Sequence, residues 1–296
     1  MRVHTIDLQF RQVSHAIAAY LVESDGELAL VETGPSTCLA ALDEGILRLG
    51  YQPSDVRKVF LSHIHLDHAG AAGHWAARGA RVFVHERGAR HLADPSRLID
   101  GARAVYGEML GTLWGEILPV PENQLTALRE GDVVEVGSTR FAVWDAPGHA
   151  RHHLVFVGHG SAFTGDNAGV RLPGCTFLSP ATAPSQFEPE SLHASIQRMR
   201  SANLERLYLT HFGVIEGSAE VAHHLDRYAA LITEVTGRIQ QMRQEGLSAE
   251  EIGERFTRDS LTRARGEGVS EEDWLRYETA NPAAMCAEGI RLWSQA

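Results

Sequence analysis

The sequence predicts an α/β fold in which sheets are covered by helices and the chain finishes in helices. Three observations lead there. Short β-prone runs recur between residues 3 and 213, helix start and stop signals fall between several of them, and from about Ser218 the apolar spacing changes to that of helix. At the N-terminus "VHTIDL", "HAIAAYLVE" and "ELALVET" read as strands, the last two joined by the hairpin-type turn "SDG". "TGPST" breaks the pattern, and Ser36 or Thr37 is expected to cap a helix that runs to about Leu49 and stops at Gly50. "RKVFLS" is a short buried strand, "AGAAGHWAARG" a helix of small residues closing at Gly79, and "ARVFVHE" the next strand.

Residues 94–130 are less regular, with Pro95, Pro119 and Pro121 among several aromatic residues, and are expected to form an insert beside a substrate pocket. Tyr106 and Trp114 are its candidate lining residues, with core packing as the simpler role. Strands resume in "DVVEV", "TRFAVWDAP", "HLVFVG" and "SAFTGD"; "EPESLHASIQRMRSAN" is a helix and "ERLYLTHFG" a strand running into a loop. Val221, Leu225, Tyr228, Ile232, Val235, Ile239 and Met242 then recur at steps of four and three, an apolar stripe along one long helix. Packing on the rest of the chain is its simplest use, and a homodimer seam the alternative. Two further helical segments follow, near 248–265 and 270–294.

Composition narrows the function. With 296 residues and 44% hydrophobic content the chain can bury a substantial core. A net charge of -11, with no basic run, argues against nucleic acid as a partner. The first residues alternate polar and apolar and show neither a secretory leader nor a membrane span, so we expect a cytoplasmic protein that does not act at membranes. Cys38, Cys175 and Cys286 are far apart and suggest neither a disulfide framework nor a thiolate metal knuckle.

The chemistry is concentrated in "VFLSHIHLDHAGAAGHW". His63, His65 and Asp67 alternate in what reads as an extended loop, pointing the same way, and His68 turns in as a helix begins. Three imidazoles and a carboxylate make a poor apolar core but a good nitrogen and oxygen cage for zinc, iron or manganese. Isolated donors then appear where strands end: His149 on "PGH", Asp166 in "TGD" and His211 in "LTHFG".

This order of motifs, HxHxDH, PGH, GD and a strand-end histidine over residues 63–211, resembles the metallo-β-lactamase superfamily, and within it the glyoxalase II-like hydrolases. The resemblance covers roughly the first 217 residues. It implies a four-layer αβ/βα sandwich as catalytic core over 1–217, with 218–296 as a helical extension packing on it. It also implies two divalent metal ions, zinc first and iron or manganese as alternatives. His63, His65 and His149 would hold one, Asp67, His68 and His211 the other, with Asp166 bridging. Glu32, where the family more usually has aspartate, and His153 would support ligands from behind.

The implied reaction is hydrolysis of an ester, thioester or lactone by a metal-bridging hydroxide, with Asp67 orienting the nucleophile and taking its proton. A phosphodiester is the alternative small-molecule substrate, and a metal-holding signalling or binding protein the alternative of another class. In the loop after Asp166 and beyond His211, Asn167, Arg171, Phe177 and Phe212 are the candidate substrate contacts.

Overall fold

The computed structural model describes residues 1–182 and 184–295. Its strands are β1 (Arg2–Asp7), β2 (Ala18–Ser24), β3 (Glu27–Val31), β4 (Val56–Phe60), β5 (Arg81–His85), β6 (Leu125–Leu128), β7 (Val133–Val136), β8 (Thr139–Asp145), β9 (Leu154–Gly158), β10 (Ser161–Gly165), β11 (Arg206–Leu209) and β12 (Gly213–Glu216). They sort into two six-stranded sheets, ordered β1-β2-β3-β4-β5-β6 and β12-β11-β10-β9-β8-β7. The helices are α1 (Leu39–Arg48), α2 (Leu66–Ala69), α3 (Ala72–Ala77), α4 (Glu86–Ala93), α5 (Ser96–Tyr106), α6 (Leu110–Trp114), α7 (Pro189–Ser201), α8 (Ser218–Gln244), α9 (Ala249–Gly266), α10 (Glu271–Ala280) and α11 (Ala283–Trp293). The α/β class read from the sequence is therefore observed. Among the described residues no helix is long and apolar enough to cross a membrane.

Two compact units divide the chain: residues 1–145 with 152–159, and residues 146–151 with 160–296. In the first unit, β2 and β3 are buried almost throughout, as strands covered on both faces should be, and their apolar run is correspondingly unbroken. Asp25 and Gly26, at φ 51° and 80°, make the tight turn between them, the backbone that Asp-Gly favours in hairpins. β3, β4, β5 and β6 then pair in parallel. β7, exposed and buried at alternate residues, pairs antiparallel with β8, and β8 with β9.

Several local expectations need correction. Ser36 and Thr37 do not cap α1; they lie in a 3-10 turn, and their hydroxyls donate to the carbonyls of Trp114 and Leu113, both at 2.9 Å. Carbonyls from a distant segment thus outcompete the local cap. The segment 94–130 is mostly helical, containing α5 and α6 before β6, because its prolines fall between elements. Asp67 is not extended: the helical turn starts at Leu66, so Asp67 and His68 both sit on α2.

In the second unit β10 pairs parallel with β11, and β11 antiparallel with β12, a short strand where the sequence predicts a loop. Every residue of the α8 stripe is buried, against α7, α9, α11, β11 and β12. The segment expected as one helix over 270–294 is two, α10 and α11. Pro282 has no N–H to continue the first and disfavours helical backbone at Asn281 before it.

Two measurements test this packing. Ile239 is fully buried in the stripe, whereas Leu275 on α10 is 60% exposed. Ile239→Ala is expected to cost about 2–5 kcal/mol in urea unfolding and Leu275→Ala no more than about 0.5; equal losses would mean the stripe is not packed. The second concerns His224, also buried on α8. Burial lowers its pKa from 6.5 to about 4, against the opposing bond to the Ala168 carbonyl. Above the unfolded value the ring is neutral folded or unfolded. As pH falls toward 4 the unfolded chain takes up a proton that the folded chain refuses, so up to about 3 kcal/mol of stability is lost. His224→Gln should flatten the stability profile across that window, and an unchanged slope would contradict it.

Candidate metal centre

In the first unit the histidine cluster is framed from below by three hydrogen bonds to one carbonyl. Thr33 N, Gly34 N and Thr33 Oγ1 all donate to His68 O, at 2.8, 3.1 and 2.9 Å, which fastens the β3 exit to α2. His63 and His65 occupy the residues between β4 and α2. His63 Nε2 lies 2.9 Å from His65 Nδ1, and the ring centroids of His63 and His68 are 4.0 Å apart. Asp67 Oδ2 is 3.4 Å from His68 Nε2, and Asp67 keeps 21% of its side chain exposed while His68 has none.

Behind these side chains stands a buried acid. Glu32 Oε1 is 3.2 Å from His68 Nδ1 and Oε2 accepts from Ser62 N at 3.3 Å. Glu32 has φ 66°, a left-handed conformation that costs a non-glycine residue about 1–2 kcal/mol. Its carboxylate holds the Nδ1 edge of His68 and leaves Nε2 as the donor edge, the arrangement typical of a metal-ligating histidine. Ser62, which sequence reasoning passed over, has its hydroxyl 3.0 Å from His63 Nδ1 and 3.4 Å from His68 Nδ1. The only signal for it was its place immediately before the motif.

His153 stacks on His63 with centroids 5.0 Å apart, so it touches the ring of a candidate ligand. His152, singled out for no role in the sequence, also joins the cluster, with centroids 6.1 Å from His63 and 5.8 Å from His65. The bond from Leu154 N to Ser62 O, at 2.7 Å, brings this pair of histidines to the cluster. Of the insert residues, Trp114 stacks on Phe10 and meets Tyr106 edge-on, at 5.3 and 5.2 Å. Burial, and after it the Asp67 charge, push the Tyr106 phenol up to about 12.

The second unit carries its own donors. His149 follows Gly148, whose φ of 139° and closeness to α7 exclude a side chain: a Cβ would lie 2.3 Å from Leu192 Cα. His149 Nδ1 is 2.9 Å from Ala181 O. A carbonyl only accepts, so Nδ1 carries the proton and Nε2 the lone pair. That Nε2 is 3.3 Å from Asp166 Oδ2, and His211 Nε2 is 3.6 Å from Asp166 Oδ1. One carboxylate at the end of β10 therefore faces a histidine with each oxygen.

The four candidate substrate contacts are placed as follows. Asn167 is buried and donates to Ala146 O at 2.6 Å. Arg171 pairs with Glu220 at 2.7 Å and donates to Cys175 O at 2.9 Å. Phe177 lies in the core, edge-on to Tyr277 and under the Arg263 guanidinium. Phe212 is buried beside His211. The first three are thus engaged in holding the loop after Asp166 to its own unit.

The donors fit a divalent metal. They are nitrogen and carboxylate oxygen, the set suited to zinc, iron or manganese, and two of the imidazoles have Nδ1 held so that Nε2 is presented. The histidine and aspartate groups of this chain could hold such ions.

Two mixed sheets covered by helices, with donors of this kind at strand ends, define an α/β protein of one class. A family model described as the metallo-beta-lactamase superfamily matches residues 15–211, and the chain belongs to that superfamily. The expected αβ/βα sandwich matches the family fold, and this chain ends in helices. The hydroxyacylglutathione hydrolase of Cereibacter sphaeroides is 30% identical over 236 residues, 77% of this chain and 74% of that protein. The hydroxyacylglutathione hydrolase of Fuscovulum blasticum is 34% identical over 122 residues, 40% of this chain and 45% of that protein. The chain spans about half the length of the first curated relatives it matches. Among solved structures, an archaeal metallo-beta-lactamase superfamily protein from Sulfolobus tokodaii has a TM-score of 0.64 at 21% identity, covering 76% of this chain and 85% of that one.

Glu32→Gln tests the support behind His68. It is expected to weaken metal binding about 10- to 100-fold in chelator competition. Wild-type affinity in the variant would mean that the acid serves only the Ser62 amide.

Proposed function

We propose that the chain is a two-metal hydrolase of small acyl substrates, an ester, thioester or lactone. His63, His65 and His149 hold one ion, Asp67, His68 and His211 the other, and Asp166 is shared. Superfamily membership supports this assignment, since the four motifs stand in the family order. The observation that carries it is the engagement of Asp166, each of whose oxygens faces one histidine Nε2. A carboxylate set between two histidine Nε2 atoms in this way could be shared by two cations and would partly neutralise their repulsion.

When bound, two such ions supply an activated water near neutral pH and positive charge for a developing oxyanion. The chain's own residues do the rest. Glu32 fixes the His68 ring, Ala181 O fixes the proton on His149, and Ser62 steadies His63. Asp67 is the partly exposed carboxylate on α2, suited to orient the water and receive its proton. Thioesters come first within the acyl class because the relatives in Cereibacter sphaeroides and Fuscovulum blasticum are named hydroxyacylglutathione hydrolases. We take zinc as the first expectation for the metal, and a small molecule, not nucleic acid or membrane, as the partner.

The test is to quantify bound metal in purified protein and, on the same sample, measure initial rates with a hydroxyacylglutathione thioester, an aryl ester, a lactone and bis(p-nitrophenyl) phosphate. Two metals per chain with an acyl substrate clearly preferred is the expected result, abolished by chelation and restored by metal. Preference for the phosphodiester would replace the acyl assignment. Full metal loading without turnover on any of them would favour a binding or signalling role.

A further inference from the structure

Several C-terminal helices grip one short strip of chain. Tyr228 of α8 accepts Ala181 N–H at 3.2 Å. Asn281, at the end of α10, donates to Pro180 O at 2.7 Å and to Ser179 Oγ at 3.2 Å. Cys286 of α11 places its thiol 3.0 Å from Pro180 O, and its carbonyl accepts from Thr182 Oγ1 at 2.9 Å. Tyr228 and Cys286 are fully buried and Asn281 nearly so, so water does not compete for these bonds. The strip they hold, residues 179–182, contains the carbonyl that fixes the His149 proton.

Tyr228 also reaches the turn that carries Asp166. Gly169 N donates to Asp166 O at 3.0 Å, and the Tyr228 ring closes over Gly169 so tightly that a Cβ there would lie 2.4 Å from Tyr228 Cε2. About one helical turn earlier, His224 Nε2 donates to Ala168 O at 2.8 Å. A single tyrosine thus touches the supports of two candidate ligands, the ring serving one and the hydroxyl the other.

We propose that the C-terminal helices act as a clamp on the ligands of their own unit, with Tyr228 the positioning residue that couples the His149 acceptor to the Asp166 turn. The clamp rests on the reading that His149 and Asp166 bind metal. Without the Tyr228 hydroxyl, Ala181 N–H is buried and unsatisfied, the strip shifts, and Ala181 O no longer holds the His149 ring at its donor angle. Outer partners of metal-bound histidines contribute about 10- to 100-fold in affinity, and one step further out the effect should lie near the lower figure.

Tyr228→Phe keeps the ring on Gly169 and removes only the hydroxyl. Its matched control is Tyr277→Phe: Tyr277 is equally buried in the same unit, and its hydroxyl accepts from Leu172 N at 3.1 Å and donates to Phe177 O at 2.8 Å without touching residues 179–182. Metal dissociation constants by chelator competition, the visible spectrum of cobalt-substituted protein and urea unfolding of the metal-free chain are measured on both. Both variants should lose similar stability, while Tyr228→Phe alone binds metal about tenfold more weakly and shifts the cobalt spectrum. Equal affinity and equal spectra in the two variants would overturn the clamp. Thr182→Val, which cuts the bond to α11, carries the same comparison should Tyr228→Phe not fold. His149→Ala separates the two levels: unchanged metal content there overturns the ligand reading itself, whereas metal loss there with normal binding in Tyr228→Phe overturns the clamp alone.

Discussion

An imidazole offers a lone pair in a useful direction only if something else fixes its proton and its tilt, and this constraint organises both units. In the first, the acceptor is Glu32, held in a left-handed backbone conformation beside Ser62 and His68. In the second, it is a main-chain carbonyl, Ala181 O, which can only accept and so places the proton of the neutral His149 ring on Nδ1.

The backbone serves the same end. Three donors from the β3 exit converge on His68 O, so the short turn of α2 is anchored from outside. A four-residue helix has little stability of its own, and its position here comes from that anchor. In the other unit the anchors are side chains of α8 and the helices after it, whose apolar stripe is buried before any polar contact is counted. The polar contacts are therefore made from a helix whose position is already fixed.

Ten of the twelve strands, the long helix and the donors His63, His65, Asp67 and His68 were legible in the sequence because each has a local signature, period-two or helical spacing or a chemically costly cluster; β6 and β12 were not, and His149, Asp166 and His211 stood out only through their order with that cluster. What was not legible is what depends on distant partners. Ser36 looks like a helix cap and instead bonds to Trp114, 78 residues on. Arg171 looks available for an anionic substrate and is paired with Glu220. Ser62 and Tyr228 belong to common residue types in unremarkable contexts, and only the folded chain shows what they hold. The split between α10 and α11 was within reach, since Pro282 announces it.

One helix stands apart from this economy of fixed positions. α5 contributes no fully buried side chain, and Val105 beside its end is 60% exposed. Substitutions along such a surface usually change stability by less than about 0.5 kcal/mol. Selection for folding therefore leaves most of α5 almost untouched, while Tyr106 at its last turn feels the charge of Asp67. In evolutionary terms most of the helix surface can change at little cost to the fold.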